Sequence, residues 1–197
     1  MIRQTRESGF SLVEVMTVVA VIAVISIFAL PNFFRASQDQ RLKNDGHAIA
    51  QTVGVVKMQA AAKFTKARLF VAKSDNAYYT QFWDKTINDW ALLGGTTQLS
   101  QGVTFGFGNL DTPPIDTQPA ILQSAACMAA DGITAIGNSA CIVFNSRGIP
   151  VDAAGNPISD NAIYITNGVG VFGTTLTATP LVRLWWSPAN TVNWVKQ

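Results

Sequence analysis

Residues 9–14 read Gly9-Phe10-Ser11-Leu12-Val13-Glu14, and the apolar run they open continues to Leu30. Phe10 to Leu30 is 21 residues. As a helix at about 1.5 Å per residue it is about 31 Å long, close to the roughly 30 Å hydrocarbon core of a bilayer. Glu14 is its one charged residue, and Ser11, Thr17 and Ser26 are small hydroxyls that can bond back to the helix. An ionised side chain in hydrocarbon costs roughly 2.5–3.5 kcal/mol on insertion scales, so Glu14 is expected to have a partner and a purpose. Arg3 and Arg6 with Glu7 precede the run, and Arg35, Arg41 and Lys43 follow it. Basic residues on both flanks give no clear orientation.

Three readings compete for this segment. A cleaved secretory signal needs small residues at its cleavage site, and Leu30-Pro31-Asn32-Phe33-Phe34 is a poor one. A plain anchor accounts for the length but not for Glu14. The third reading accounts for more residues: Arg3, Arg6, Glu7, Ser8 and Gly9 followed by Phe10-Ser11-Leu12-Val13-Glu14 resembles the type III signal of type IV pilins and pseudopilins. The resemblance implies cleavage after Gly9 by a prepilin peptidase and N-methylation of Phe10. Glu14 then stands fifth in the processed chain, and Pro31 falls at position 22, where pilins commonly carry proline.

The resemblance also implies a structural subunit, not an enzyme, with no cofactor and no metal. It would sit in the bacterial inner membrane as a single-pass protein with a periplasmic globular domain. Its partners would be other pilin or pseudopilin subunits, the peptidase and an inner-membrane assembly platform. The chemistry is consistent. Cleavage frees an α-amine whose reference pKa of about 7.7–8.0 keeps it largely protonated near neutral pH, and methylation preserves that charge. A cation and Glu14 in a low-dielectric bundle attract strongly and offset the cost of burying each other.

Pro31 lacks the N–H for the carbonyl of Ile27, so a helix kink is expected there. Beyond it Ile49, Val53, Val56, Ala60, Phe64, Ala67 and Val71 recur at steps of three or four, one apolar helical stripe that Gly46 and Gly54 weaken locally. The expectation is a helix from Phe10 to about Ala67. His47, the one histidine, lies beside Asp45 and suits a solvated or capping role. Past Lys66, β-branched and aromatic runs alternate with turn residues. Candidate strands are Leu69–Lys73, Tyr78–Trp83, Val103–Phe107, Cys141–Asn145, Ala162–Thr166, Val169–Thr177 and Leu181–Trp186. Residues 111–118, with Pro113, Pro114 and nearby Pro119, form a surface loop.

The fold class is therefore α+β: a long N-terminal helix, transmembrane in its first half, packed on an antiparallel β-sheet domain, pilin-like in layout. The expected organisation is a leader at 1–9, a transmembrane or filament-core helix at 10–30, an amphipathic continuation at 31–67, and a β-rich domain at 68–197. Within that domain Cys141-Ile-Val-Phe-Asn-Ser-Arg147-Gly148, then Ala162–Thr166, then Leu181–Trp185 resembles the GspH/FimT pseudopilins. Thr179-Pro180 departs from the glycine that family places before its last strand.

Cys127 and Cys141 are the two cysteines, in the part this topology would export, and are expected to form a disulfide. Net charge is +2, too near neutral to announce a nucleic-acid or acidic-lipid partner. Residues 46–74 hold Lys57, Lys63, Lys66, Arg68 and Lys73 without an acid, whereas 75–197 are acidic. Either this is a solvated helix face, or a basic helix meets an acidic domain across a subunit contact. Catalytic sets are absent. Gly168-Val-Gly170-Val-Phe-Gly173 matches a dinucleotide fingerprint in letters only, in a β-rich stretch with no following helix. Asp111 and Asp116 are a weak calcium signal. Trp83, Trp90, Trp185, Trp186 and Trp194 suit a core, with one of the adjacent pair Trp185 and Trp186 exposed or covered by the tail or another subunit. An alternative function is a FimT-like DNA-binding minor pilin, in which Arg183, Lys196 and exposed tryptophans contact nucleic acid.

Overall fold

A computed structural model describes residues 11–197, without the side chains of Phe28, Pro31 and Asn32. The expected processing site, Gly9 and Phe10, lies outside the described residues. The chain divides into two compact units, Met1–Gln38 and Asp39–Gln197, and helix α1 (Leu12–Ala62) contributes to both. The helix is continuous at Pro31, so the proline does not end it.

In the second unit the architecture is α+β. Strands β1 (Ala67–Ala72), β2 (Ala77–Asp84), β3 (Asp89–Gln98), β4 (Thr104–Phe105), β5 (Ser139–Phe144), β6 (Pro150–Val151), β7 (Asn161–Thr166), β8 (Gly170–Leu176), β9 (Val182–Pro188) and β10 (Val195–Lys196) follow the helix. They form two antiparallel five-stranded sheets, in the orders β3-β2-β1-β5-β6 (sheet A) and β10-β9-β8-β7-β4 (sheet B). One core joins three surfaces: Leu42, Ile49, Val53, Val56 and Ala60 from α1, Leu69, Val71, Ile142 and Phe144 from sheet A, and Ile163, Ile165, Phe172 and Leu176 from sheet B. The helical contributors recur at steps of three, four or seven, the spacing that puts side chains on one face.

The stripe ends sooner than its sequence pattern suggested. Ala62 is the last helical residue, and Phe64 turns left-handed at φ 50. Thr65 N–H donates to Ala60 O at 3.2 Å and Phe64 N–H to Ala61 O at 3.2 Å. These two bonds make a Schellman cap with phenylalanine where glycine is usual. Ala67 and Val71 are buried as expected, but from β1, where alternate residues face one side. Phe64 is 77% exposed and does not belong to the stripe.

All seven expected strands have counterparts, of which Val103–Phe107 shrinks to the two residues of β4. β3, β6 and β10 were not foreseen. β3 is an edge strand, mostly exposed and carrying Gly94 and Gly95, so it shows neither alternation nor a continuous apolar run. Gly46 also acts differently from expectation. It weakens helix propensity, but here it lets Phe172 lie against the helix: a Cβ on residue 46 would fall 2.1 Å from Phe172 Cδ1.

Gly46→Ala should therefore lower stability by about 1–3 kcal/mol through overpacking, although alanine gains about 1 kcal/mol in helix propensity. The urea midpoint of unfolding reads this directly, and an unchanged or raised midpoint would contradict the close packing.

Candidate assembly site

Glu14 occupies the first turn of α1, where the partial positive charge of a helix N-terminus favours a carboxylate. Its carbonyl accepts a hydrogen bond from Thr17 Oγ1 at 2.8 Å, and Ser26 Oγ donates to Ile22 O at 2.8 Å. Both hydroxyls are thus satisfied within the helix, as the sequence suggested. Around them the surface is apolar. Leu12 is 73% exposed and Val13 67%, and Val15, Met16, Val18, Val19, Val21, Ile22, Val24, Ile25 and Ile27 are exposed too. These residues take in every side of a 3.6-residue helix, the pattern of a helix that is buried within a larger assembly or a membrane. Among the described residues no helix is long and apolar enough to cross a membrane. The expected spanning segment, Phe10 to Leu30, includes Phe10 and the side chain of Phe28, which lie outside them.

The second unit carries the other expected residues. Cys127 and Cys141 form a disulfide. It fastens the segment around residues 125–136 to β5, aided by Cys141 N–H donating to Ala125 O and Ile136 N–H to Cys127 O. Phe70, Tyr79 and Val143 pack around it. His47 is exposed, with its ring 5.6 Å from that of Phe172. Asp45 does not pair with it: the carboxylate accepts from Ser100 N–H at 2.8 Å and Ser100 Oγ at 2.9 Å.

The basic cluster is not a helix face. Only Lys57 of the five lies on α1; Lys63 and Lys66 follow its end, Arg68 is on β1, and Lys73 comes after β1. Lys63 Nζ sits 4.3 Å from the centre of the Phe82 ring, and Arg68 is buried. The basic-helix reading is therefore corrected, because the helix stops before most of the charge.

Arg183 lies on β9 opposite Thr175, and Lys196 on β10 opposite Trp185. The three tryptophans near Arg183 and Lys196 in the chain are packed into the fold to differing degrees. Trp185 is buried with Nε1–H donating to Thr175 Oγ1 at 2.9 Å. Trp186 packs on the core cluster, and β10 of the C-terminal tail pairs with both residues. Trp194 packs on Tyr164 and donates to Thr112 O at 2.8 Å. Burial also pushes the Tyr164 hydroxyl pKa upward. Gly168 turns the β7–β8 hairpin at φ 82, while Gly170 and Gly173 lie in β8 under Trp186 and Tyr164. That packing leaves no cradle for a pyrophosphate. Asp111 accepts from Thr112 Oγ1 at 2.9 Å, and among the described residues no group of three or more His, Cys, Asp or Glu is arranged to hold a metal.

Residues 4–30 match the model of the prokaryotic N-terminal methylation motif. The chain carries that methylation motif. The match takes in Gly9, Phe10 and Glu14, the residues on which the sequence resemblance rests. Two solved structures of the minor pseudopilin EpsH from the type 2 secretion system of Vibrio cholerae are similar to the chain. One is 9% identical, with 77% of this chain and 99% of that one covered and a TM-score of 0.47. The other is 11% identical, with 74% and 93% covered and a TM-score of 0.44. No curated protein matches.

The disulfide gives a direct test of how the second unit of this motif-bearing chain is held. Replacing Cys127 and Cys141 together by alanine should cost about 3 kcal/mol, the chain-entropy value for a loop of about 15 residues. Denaturant unfolding followed by tryptophan fluorescence measures it. Equal stability of the variant, or two free thiols on the oxidised, denatured protein, would contradict the bridge.

Proposed function

We propose that the chain is a minor pilin or pseudopilin: a structural subunit cleaved after Gly9, N-methylated at Phe10, and assembled with similar subunits into a short filament. The filament is that of a type II secretion or type IV pilus machine. The observation that carries this reading is the exposed, all-round apolar surface of α1 from Leu12 to Ile27 interrupted by one carboxylate, Glu14. Such a helix needs an apolar surrounding, and such a carboxylate needs a cation within it. The methylation motif over residues 4–30 supports a cation of the right kind, the α-amine freed by processing.

On this reading, residues 1–9 are the leader and 10–30 hold the subunit in the inner membrane before extraction into the filament. The remainder of α1 and the β-rich domain lie in the periplasm. Pro31 introduces the bend between membrane and domain. Prepilin peptidase and an inner-membrane assembly platform are the processing and assembly partners. The amine that meets Glu14 belongs to a neighbouring subunit, so the pair fixes axial register in the filament. The GspH/FimT-type subfamily is supported by the β5–β6 hairpin. There Asn145 Oδ1 accepts from Arg147 and Ile149 N–H, and Gly148 adopts φ 71 within the Phe144-to-Gly148 turn.

Glu14→Ala should leave membrane insertion intact and abolish incorporation into filaments. The sheared filament fraction, probed for this subunit against the membrane fraction, reads the difference. Normal incorporation of the variant would refute the role assigned to Glu14.

A further inference from the structure

On the face of sheet A turned away from the helical core lies a cleft of about 610 Å³, within the range of small-molecule sites. Arg68 lines it and is 3% exposed. Its polar partners are neutral: Nε–H donates to Gln81 Oε1 at 2.8 Å and Nη1–H to Met128 O at 2.6 Å. Its guanidinium carbon stands 4.0 Å from the centre of the Trp90 ring and 5.3 Å from that of Phe70. Among the described residues no carboxylate forms an ion pair with it. Asp89 attracts the guanidinium without reaching ion-pair distance, and burial outweighs that attraction, lowering the pKa of Arg68 to about 10.

The rest of the lining has the same bias. Lys66 and Lys85 add two cations, and Asp152 is the one acid. Its carboxylate already accepts Asn156 N–H at 2.8 Å. Asn161 also lines the cleft, and its buried Nδ2 has no hydrogen-bond partner. Aromatic walls come from Trp83 and Trp90, packed edge to face at 5.5 Å between centroids. Phe64, also in the lining, is exposed at a left-handed helix cap that glycine would fill with less strain. A strained, exposed aromatic residue at a cleft is an observation that points to function.

We propose that this cleft binds a small organic anion: a flat apolar body held against Trp83, Trp90 and Phe64, bearing one carboxylate that gives Arg68 an ion-pair partner in direct contact. Lys85 Nζ already donates to Phe64 O at 3.2 Å, but the Lys66 cation and the unpartnered Asn161 Nδ2 favour an acceptor-bearing ligand, and the volume suits a ligand of one or two rings. The proposal does not rest on the filament reading.

The test uses the full, oxidised chain in detergent micelles, titrated calorimetrically with naphthalene-2-carboxylate and with the uncharged naphthalene-2-carboxamide. Heat of transfer to empty micelles is subtracted. One saturable site should appear, with the carboxylate bound at least tenfold more tightly than the amide. Arg68→Met should remove that preference. Phe64→Gly should weaken binding severalfold while leaving the melting temperature unchanged or higher. If Arg68→Met does not fold, the exposed pair Lys66→Ala and Lys85→Ala replaces it, and loss of at least half the preference is expected. No saturable binding, equal affinity for the two probes, or an undiminished carboxylate preference in the folded charge variant would each overturn the assignment.

Discussion

A helix that is apolar on every side cannot be left in water. More than ten large apolar side chains between Leu12 and Phe34 are exposed. At roughly 1.5–3 kcal/mol for each that becomes fully buried, their transfer to an apolar surrounding is worth on the order of 15–30 kcal/mol. That equals or exceeds the roughly 5–15 kcal/mol stability of a typical folded domain. Against it Glu14 costs only roughly 2.5–3.5 kcal/mol. The balance favours burial decisively, and the one unfavourable group becomes the one that can choose a partner. On the proposed reading, specificity rests on a single carboxylate, while affinity rests on bulk apolar surface.

The same helix changes character along its length. Toward its C-terminal end the apolar residues contract to a single stripe, Leu42, Ile49, Val53, Val56 and Ala60, which closes the core between the two sheets. Gly46 within that stretch admits the Phe172 ring of sheet B. The Asp45 carboxylate holds Ser100 on the connection after β3. On the far face of sheet A, the disulfide and Arg68 together fasten the segment between β4 and β5, through Cys127 and through the carbonyl of Met128. Loops that the backbone ladder does not hold are thus tied down by a few specific side chains.

The legible parts of the sequence were those with a strong period or a singular residue. Glu14 stood out against its apolar surroundings, the heptad-like stripe announced the packed helix, and the two cysteines had only each other. Strands buried on both faces, such as β1, β5, β7 and β8, read as short runs rich in β-branched, aromatic and other apolar residues between turn residues. What escaped lacked those signals. β3 is exposed and glycine-containing, so only its partner β2 defines it. The helix stop at Ala62 carries no glycine or proline, because Phe64 takes the left-handed cap conformation itself. Arg68 looked like one more member of a solvated basic run. Its position on β1, pointing away from the core between Trp90 and Phe70, is set by strand alternation and by contacts with residues far along the chain.

The central claim is that Glu14 meets a cation created by processing. Intact and fragment mass spectrometry of the protein isolated from native membranes tests it most directly. The expected result is a chain that begins at Phe10 and carries one additional methyl group on its α-nitrogen. An intact Met1, or an unmodified terminus at another residue, would contradict it.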